Sequence, residues 1–112
     1  MQILEHTANH VVTLQLEGNF TYNQRRAFQE AIKKACQQNA QHIVIDLSQV
    51  GFVDSAALGL LMITHRQLSA EKRKMTLAHP QQTVKQIIEL ANLHQIIPMA
   101  KDGEFAPMRK TA

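Results

Sequence analysis

The chain has 112 residues, 45% of them hydrophobic and 19% charged, with four glycines, three prolines and a single cysteine. That length suits one compact domain and is too short for two cores, and the ordinary composition excludes a disordered, collagen-like or coiled-coil chain. Twelve basic against nine acidic residues leave a net charge of +3, and the densest cluster, Glu71-Lys72-Arg73-Lys74, reads as a solvated loop between two elements.

Ile3-Leu4 and Val11-Val12-Thr13-Leu14-Gln15-Leu16 read as two short strands. Thr7-Ala8-Asn9-His10 between them is expected to be a hairpin turn, because Asn tolerates the left-handed backbone such turns need. In the second strand Val12, Leu14 and Leu16 alternate with Thr13, Gln15 and Glu17, so one face is expected to be wetter than the other. Gly18 ends that strand. The spacing then predicts a helix over 23–39 with Ala27, Phe28, Ala31, Ile32, Ala35 and Cys36 on its apolar stripe. On that stripe Cys36 reads as a small buried hydrophobe, since no neighbour in sequence would lower its pKa.

Ile43-Val44-Ile45-Asp46-Leu47 is a β-branched run of the kind found in a strand covered on both faces. A linker of polar and small residues over 48–53 leads to a second helix over 54–70, with Ala57, Leu58, Leu61, Met62, His65 and Leu68 along one stripe. Met75-Thr76-Leu77-Ala78 reads as a further strand. Pro80 leads into a third helix carrying Val84, Ile87, Ile88 and Ala91 inward. Ile96-Ile97 is expected to be a last short strand stopped by Pro98, and 101–112 a loose or partly helical tail. Strands alternating with helices after a hairpin predict an α/β domain over 1–100 with a mixed, mostly parallel sheet and right-handed crossovers.

In such sheets, sites gather at the carboxyl ends of the strands, where helix amino termini also point. The join Val50-Gly51-Phe52-Val53-Asp54-Ser55-Ala56-Ala57-Leu58-Gly59 is the most informative such place. Asp54 is set to cap the helix by accepting from the free N–H groups of its first turn. Ser55 follows, with only small side chains until Leu58, so its hydroxyl is expected to be reachable. A phosphoryl group there would sit beside the positive end of a helix but also beside Asp54. Those opposed effects predict a changed surface potential and not a refolded domain.

His42-Ile43-Val44-Ile45-Asp46-Leu47 followed by Phe52-Val53-Asp54-Ser55-Ala56-Ala57-Leu58-Gly59-Leu60-Leu61 resembles the signature of the STAS domain family, whose name joins sulfate transporters and anti-sigma-factor antagonists. The stand-alone antagonists share this length, the hairpin start and the β-α-β-α order, so the resemblance covers 2–99. It implies that Ser55 is the phosphorylated residue, with Asp54 orienting the loop. It further implies an anti-sigma factor that is also a serine kinase of the histidine-kinase-like ATPase fold, and a metal-dependent serine phosphatase. Ala56, Ala57 and Gly59 would allow a partner close approach, with Asn19 and Thr21 flanking. The sequence departs from the family where Ala56 and Ala57 stand for a second Ser or Thr and a small residue. Thr21 stands where relatives often place an aspartate, and the segment after Gly103 matches their last helix poorly.

A second reading keeps the fold and makes the chain an unphosphorylated subunit of a larger assembly, such as a lipid-transport ATPase. A small enzyme or nucleotide-binding domain is the least supported, since no phosphate loop or nucleophile–base pair is visible. Six histidines, His6, His10, His42, His65, His79 and His94, offer no i,i+4 pair on an expected helix and no Cys-x-x-Cys companion, so no metal or other cofactor is expected. Met62, Met75, Met99 and Met108 read as packing or tail residues. One cysteine cannot make an internal disulfide framework, which points to a reducing, cytoplasmic setting. No apolar run approaches the roughly 20 residues of a membrane helix, and residues 1–6 lack the pattern of a signal peptide. With four phenylalanines, one tyrosine, no tryptophan and no basic stripe, nucleic acid is not an expected partner.

Overall fold

Asn9 and His10 both take the left-handed backbone, with φ of 54° and 65°. Positive φ at both central residues is what a two-residue hairpin loop of type I′ requires. Ala8 therefore pairs with Val11, and the turn is shorter than the four residues read from sequence. Strand β1 extends over Gln2–Ala8 and β2 over Val11–Glu17. Gly18 follows with φ of 103°, a region that L side chains avoid, and the chain leaves the sheet there.

The computed structural model describes residues 1–101. The expected tail lies outside the described residues from residue 102 onward, as does Met108. After β2 a short 3-10 turn, Tyr22–Gln24, leads into α1 (Arg25–Gln37). Then come β3 (His42–Gln49), α2 (Ser55–Ala70), β4 (Lys74–Ala78), α3 (Gln82–Leu90) and a second 3-10 turn, Leu93–Gln95. The sheet order is β1-β2-β3-β4, with β1 and β2 antiparallel and the remaining pairs parallel. Both crossovers step in the same direction, so their common right hand sets α1 and α2 on one face.

That face carries Val12, Leu14, Leu16, Ile43, Ile45, Leu47, Met75 and Leu77. They are buried in one cluster with Phe28, Ile32 and Ala35 of α1, Ala57, Leu61 and Leu68 of α2, and Val84 and Ile88 of α3. Phe20 and Phe28 meet within it, their ring centroids 5.1 Å apart. The opposite face is drier than the alternation of β2 predicts. Gln15, in register with Asp46, is fully buried, as are Val44 and Ala78. The Gln15 amide donates to Asp46 Oδ2 at 3.5 Å, and Asp46 Oδ1 accepts the Ser48 backbone N–H at 2.9 Å.

Several expectations are corrected. Ala27 and Ala91 are exposed, whereas Thr64, outside the expected stripe, is buried on α2. Ile96-Ile97 forms no strand. The stretch follows the Leu93–Gln95 turn, which is entered through left-handed Asn92, and Ile97 drops into the core while Ile96 stays exposed. Pairing with β4 comes only after Pro98, which has no N–H to give. Its carbonyl accepts from Leu77 N at 3.0 Å, and Ala100 N donates back to Leu77 O at 2.8 Å. In the charged cluster Glu71, Lys72 and Lys74 face water, but Arg73 is half-buried, donating to the Ala40 carbonyl and to Glu71 Oε1.

Candidate functional site

The loops after β2 and β3 leave the same edge of the sheet and run side by side. Phe20 and Val53 form an isolated bridge, Phe20 N donates to Phe52 O at 2.9 Å, and Asp54 N donates to Phe20 O at 3.2 Å. With the buried side chains of Phe20, Val50 and Val53 beneath, this pairing fixes where the next residue stands.

That residue is Asp54, in extended backbone at the head of α2. Its Oδ1 accepts the Ala57 N–H at 2.8 Å, an N-cap bond, and its Oδ2 accepts the Tyr22 N–H at 3.0 Å. One carboxylate thus caps α2 and clamps the turn before α1. Ser55, the first residue of α2, is exposed.

The other predicted surface residues fall around it in different ways. Ala56 and Gly59 are exposed, and a Cβ added at Gly59 would meet nothing within 4 Å. Ala57 is buried, so it shapes the floor of the site and presents little to a partner. Asn19 is exposed, with its Oδ1 3.7 Å from where a Cβ on Gly51 would stand. Thr21 is half-buried and turned to local use: its Oγ1 and its backbone N–H both donate to Gln24 Oε1, at 2.7 and 3.0 Å.

The sequence reading missed the apolar half of the site. Tyr22, Phe52 and Ile63 are about half exposed, at 54%, 46% and 53%. Tyr22 and Ile63 line a groove of about 220 Å³ between α1 and α2, with Ala56, Gly59 and Arg25 also on its walls. The Arg25 guanidinium stacks 3.9 Å from the centre of the Tyr22 ring and donates to the Tyr22 carbonyl at 3.2 Å. Ile63 was legible in principle, because it is a large apolar residue off the buried stripe of α2. Cys36, between α1 and α2, is half-buried, and that burial raises its thiol pKa, opposed by Arg73 and reinforced by Glu71. Among the described residues no group of three His, Cys, Asp or Glu is placed to hold a metal ion.

Known proteins share this fold. A STAS-domain containing protein of Pseudomonas aeruginosa is 25% identical over 89 residues, covering 80% of this chain and 87% of its own. An anti-sigma factor antagonist from Mycobacterium paratuberculosis superposes with a TM-score of 0.77 at 23% identity, covering 88% of this chain and 83% of its own. The anti-sigma factor antagonist SpoIIAA in its unphosphorylated form gives 0.75 at 22% identity, covering 92% and 91%. Its phosphorylated form, from Bacillus, gives 0.68 at 21% identity, covering 92% and 95%. The model of the STAS domain matches residues 2–106, and the chain belongs to that family.

Proposed function

We propose that the chain is a non-catalytic, cytoplasmic partner-switching regulator, an anti-sigma factor antagonist controlled by phosphorylation of Ser55. The observation that carries this reading is the exposed Ser55 on the first turn of α2, held beside an exposed apolar groove by the double acceptor Asp54. Unphosphorylated, the surface of Asp54, Ser55, Ala56 and Gly59, floored by Ala57 and flanked by Asn19 and Thr21, docks an anti-sigma factor that is also a serine kinase of the histidine-kinase-like ATPase fold. That partner then releases its other target. A phosphoryl group adds nearly two negative charges beside a carboxylate already fixed in place. Both must be desolvated for an apolar partner surface to seat, so association is lost without refolding. A metal-dependent serine phosphatase restores the docking form. The relative SpoIIAA has been solved in both phosphorylated and unphosphorylated forms, which supports the reading.

The test is intact mass after incubation with a candidate kinase and ATP. Wild type should gain one phosphoryl group and Ser55→Ala none; a gain that persists in Ser55→Ala overturns the assignment. The half-exposed Tyr22, Phe52 and Ile63 favour one alternative, a STAS subunit bound permanently to an assembly such as a lipid-transport ATPase, since permanent interfaces are the more apolar. Co-purification of transporter subunits with no kinase or phosphatase would decide for it.

A further inference from the structure

A large cleft lies away from Ser55, at the carboxyl end of β4. It measures about 520 Å³ and is lined by His79, by Lys85 and Glu89 of α3, by His94 of the second 3-10 turn, and by Met99 and Lys101. That size lies within the range of small-molecule sites, and the carboxyl edge of a parallel sheet is where they gather.

Three features mark the cleft as more than a surface dent. His79 holds a left-handed backbone, φ 55°, directly after the strand, a conformation that side-chain-bearing residues seldom adopt. His79 Nε2 and His94 Nδ1 are both shielded from solvent and have no hydrogen-bond partner among the described residues, which is rare for buried polar atoms. Lys85 and Glu89 stand one turn apart on α3 yet form no ion pair with each other.

The chemistry of the missing partner can be read from His94. Its Nε2 lies 3.3 Å from the Gln95 amide nitrogen, which can only donate. Nε2 is then the acceptor, and a neutral ring carries its proton on Nδ1. The shielded atom is an N–H donor in need of an acceptor. Lys85 of α3 brings a positive charge to the lining that Glu89 does not pair.

We infer that this cleft binds a compact oxyanion, the phosphate or carboxylate group of a small molecule, with His94 Nδ1–H donating to it and Lys85 supplying countercharge. The site is separate from the Ser55 surface and stands whether or not Ser55 is phosphorylated.

The test is a titration of the full chain, labelled with 15N at histidine, with inorganic phosphate and separately with acetate. Imidazole resonances are followed at constant ionic strength, with chloride as control. At least one probe should move His79 and His94 saturably while chloride does not, and the probe that saturates tells phosphate from carboxylate. Lys85→Gln, an exposed change, should weaken the fitted affinity about tenfold, as loss of a charge-assisted contact does, with an unaltered unfolding midpoint. His94→Phe, which keeps the ring and removes the N–H, should weaken it further. Absence of saturation with both probes, or a Lys85→Gln titration matching wild type, overturns the inference.

Discussion

Asp54 and Tyr22 lie 32 positions apart in sequence and are joined by one bond, Tyr22 N–H to Asp54 Oδ2 at 3.0 Å. The other carboxylate oxygen caps α2 through Ala57 at 2.8 Å. The residue beside the candidate modification site is therefore also the tie between the loops after β2 and β3. Its position, and with it that of Ser55, is set by tertiary pairing as much as by the helix it starts.

Removal of that carboxylate should cost two interactions at once. Asp54→Ala is expected to lower the unfolding free energy by about 2 kcal/mol, a lost cap plus a lost hydrogen bond. Asp54→Asn keeps one carbonyl acceptor and should lose about half of that. Urea denaturation of both variants decides. An Asp54→Asn variant as stable as wild type would mean that the tie to Tyr22 contributes nothing.

Two glycines should respond with opposite sign to the same substitution. Gly18 has φ of 103°, and an added Cβ there meets nothing closer than 3.9 Å, so the cost is backbone strain and not collision. Gly18→Ala should destabilise by about 1–2 kcal/mol. Gly59 lies inside α2 with open space around it, and Gly59→Ala should stabilise by about 0.5–1 kcal/mol by restricting the unfolded chain. If the groove wall serves docking, that more stable variant should bind its partner less well. Thermal unfolding and partner pull-down together read both effects.

The cap is the kind of feature a sequence exposes, because Asp before an apolar helical pattern has one local use. The order of strands and helices is legible for the same reason, since periods of 2.0 and 3.6 are written residue by residue. What depends on long-range placement is not. Gln15 is a polar residue in an alternating strand, and only its register opposite Asp46 makes it fully buried. Tyr22 and Phe52 are apolar residues in loops, and their exposure follows from where those loops land on the edge of the sheet. Ile96-Ile97 has the composition of a strand but follows the Leu93–Gln95 turn, and the edge pairing falls at Met99.

Cys36 gives the structure a dependence on alkaline pH. Burial raises its thiol pKa above the ordinary 9.0, so the folded state holds the proton more tightly than the unfolded chain does. The contribution to stability is complete below pH 9.0 and is lost as pH rises from there through the higher folded value. Stability should therefore fall more steeply with alkaline pH in wild type than in Cys36→Ala. Reaction with an aromatic disulfide at pH 8 should be slower in the native protein than in urea. Equal rates would show that burial does not shield the sulfur.

Association and folding should separate cleanly at the exposed surface. Ser55→Glu places charge at the favourable end of α2 but next to Asp54, and these oppose each other, so its stability should stay within about 0.5 kcal/mol of wild type. Ile63→Gln, at a half-exposed position, should be equally mild. Both should lose the partner that Ser55→Ala still retains: Ser55→Glu through charge that must be desolvated, Ile63→Gln through lost apolar contact worth about tenfold in affinity. Urea unfolding checks the first half, and co-purification with the partner checks the second. Should Ser55→Glu hold its partner as firmly as Ser55→Ala, charge at that position is not what sets association, because the two variants differ in little else that a docking surface could read.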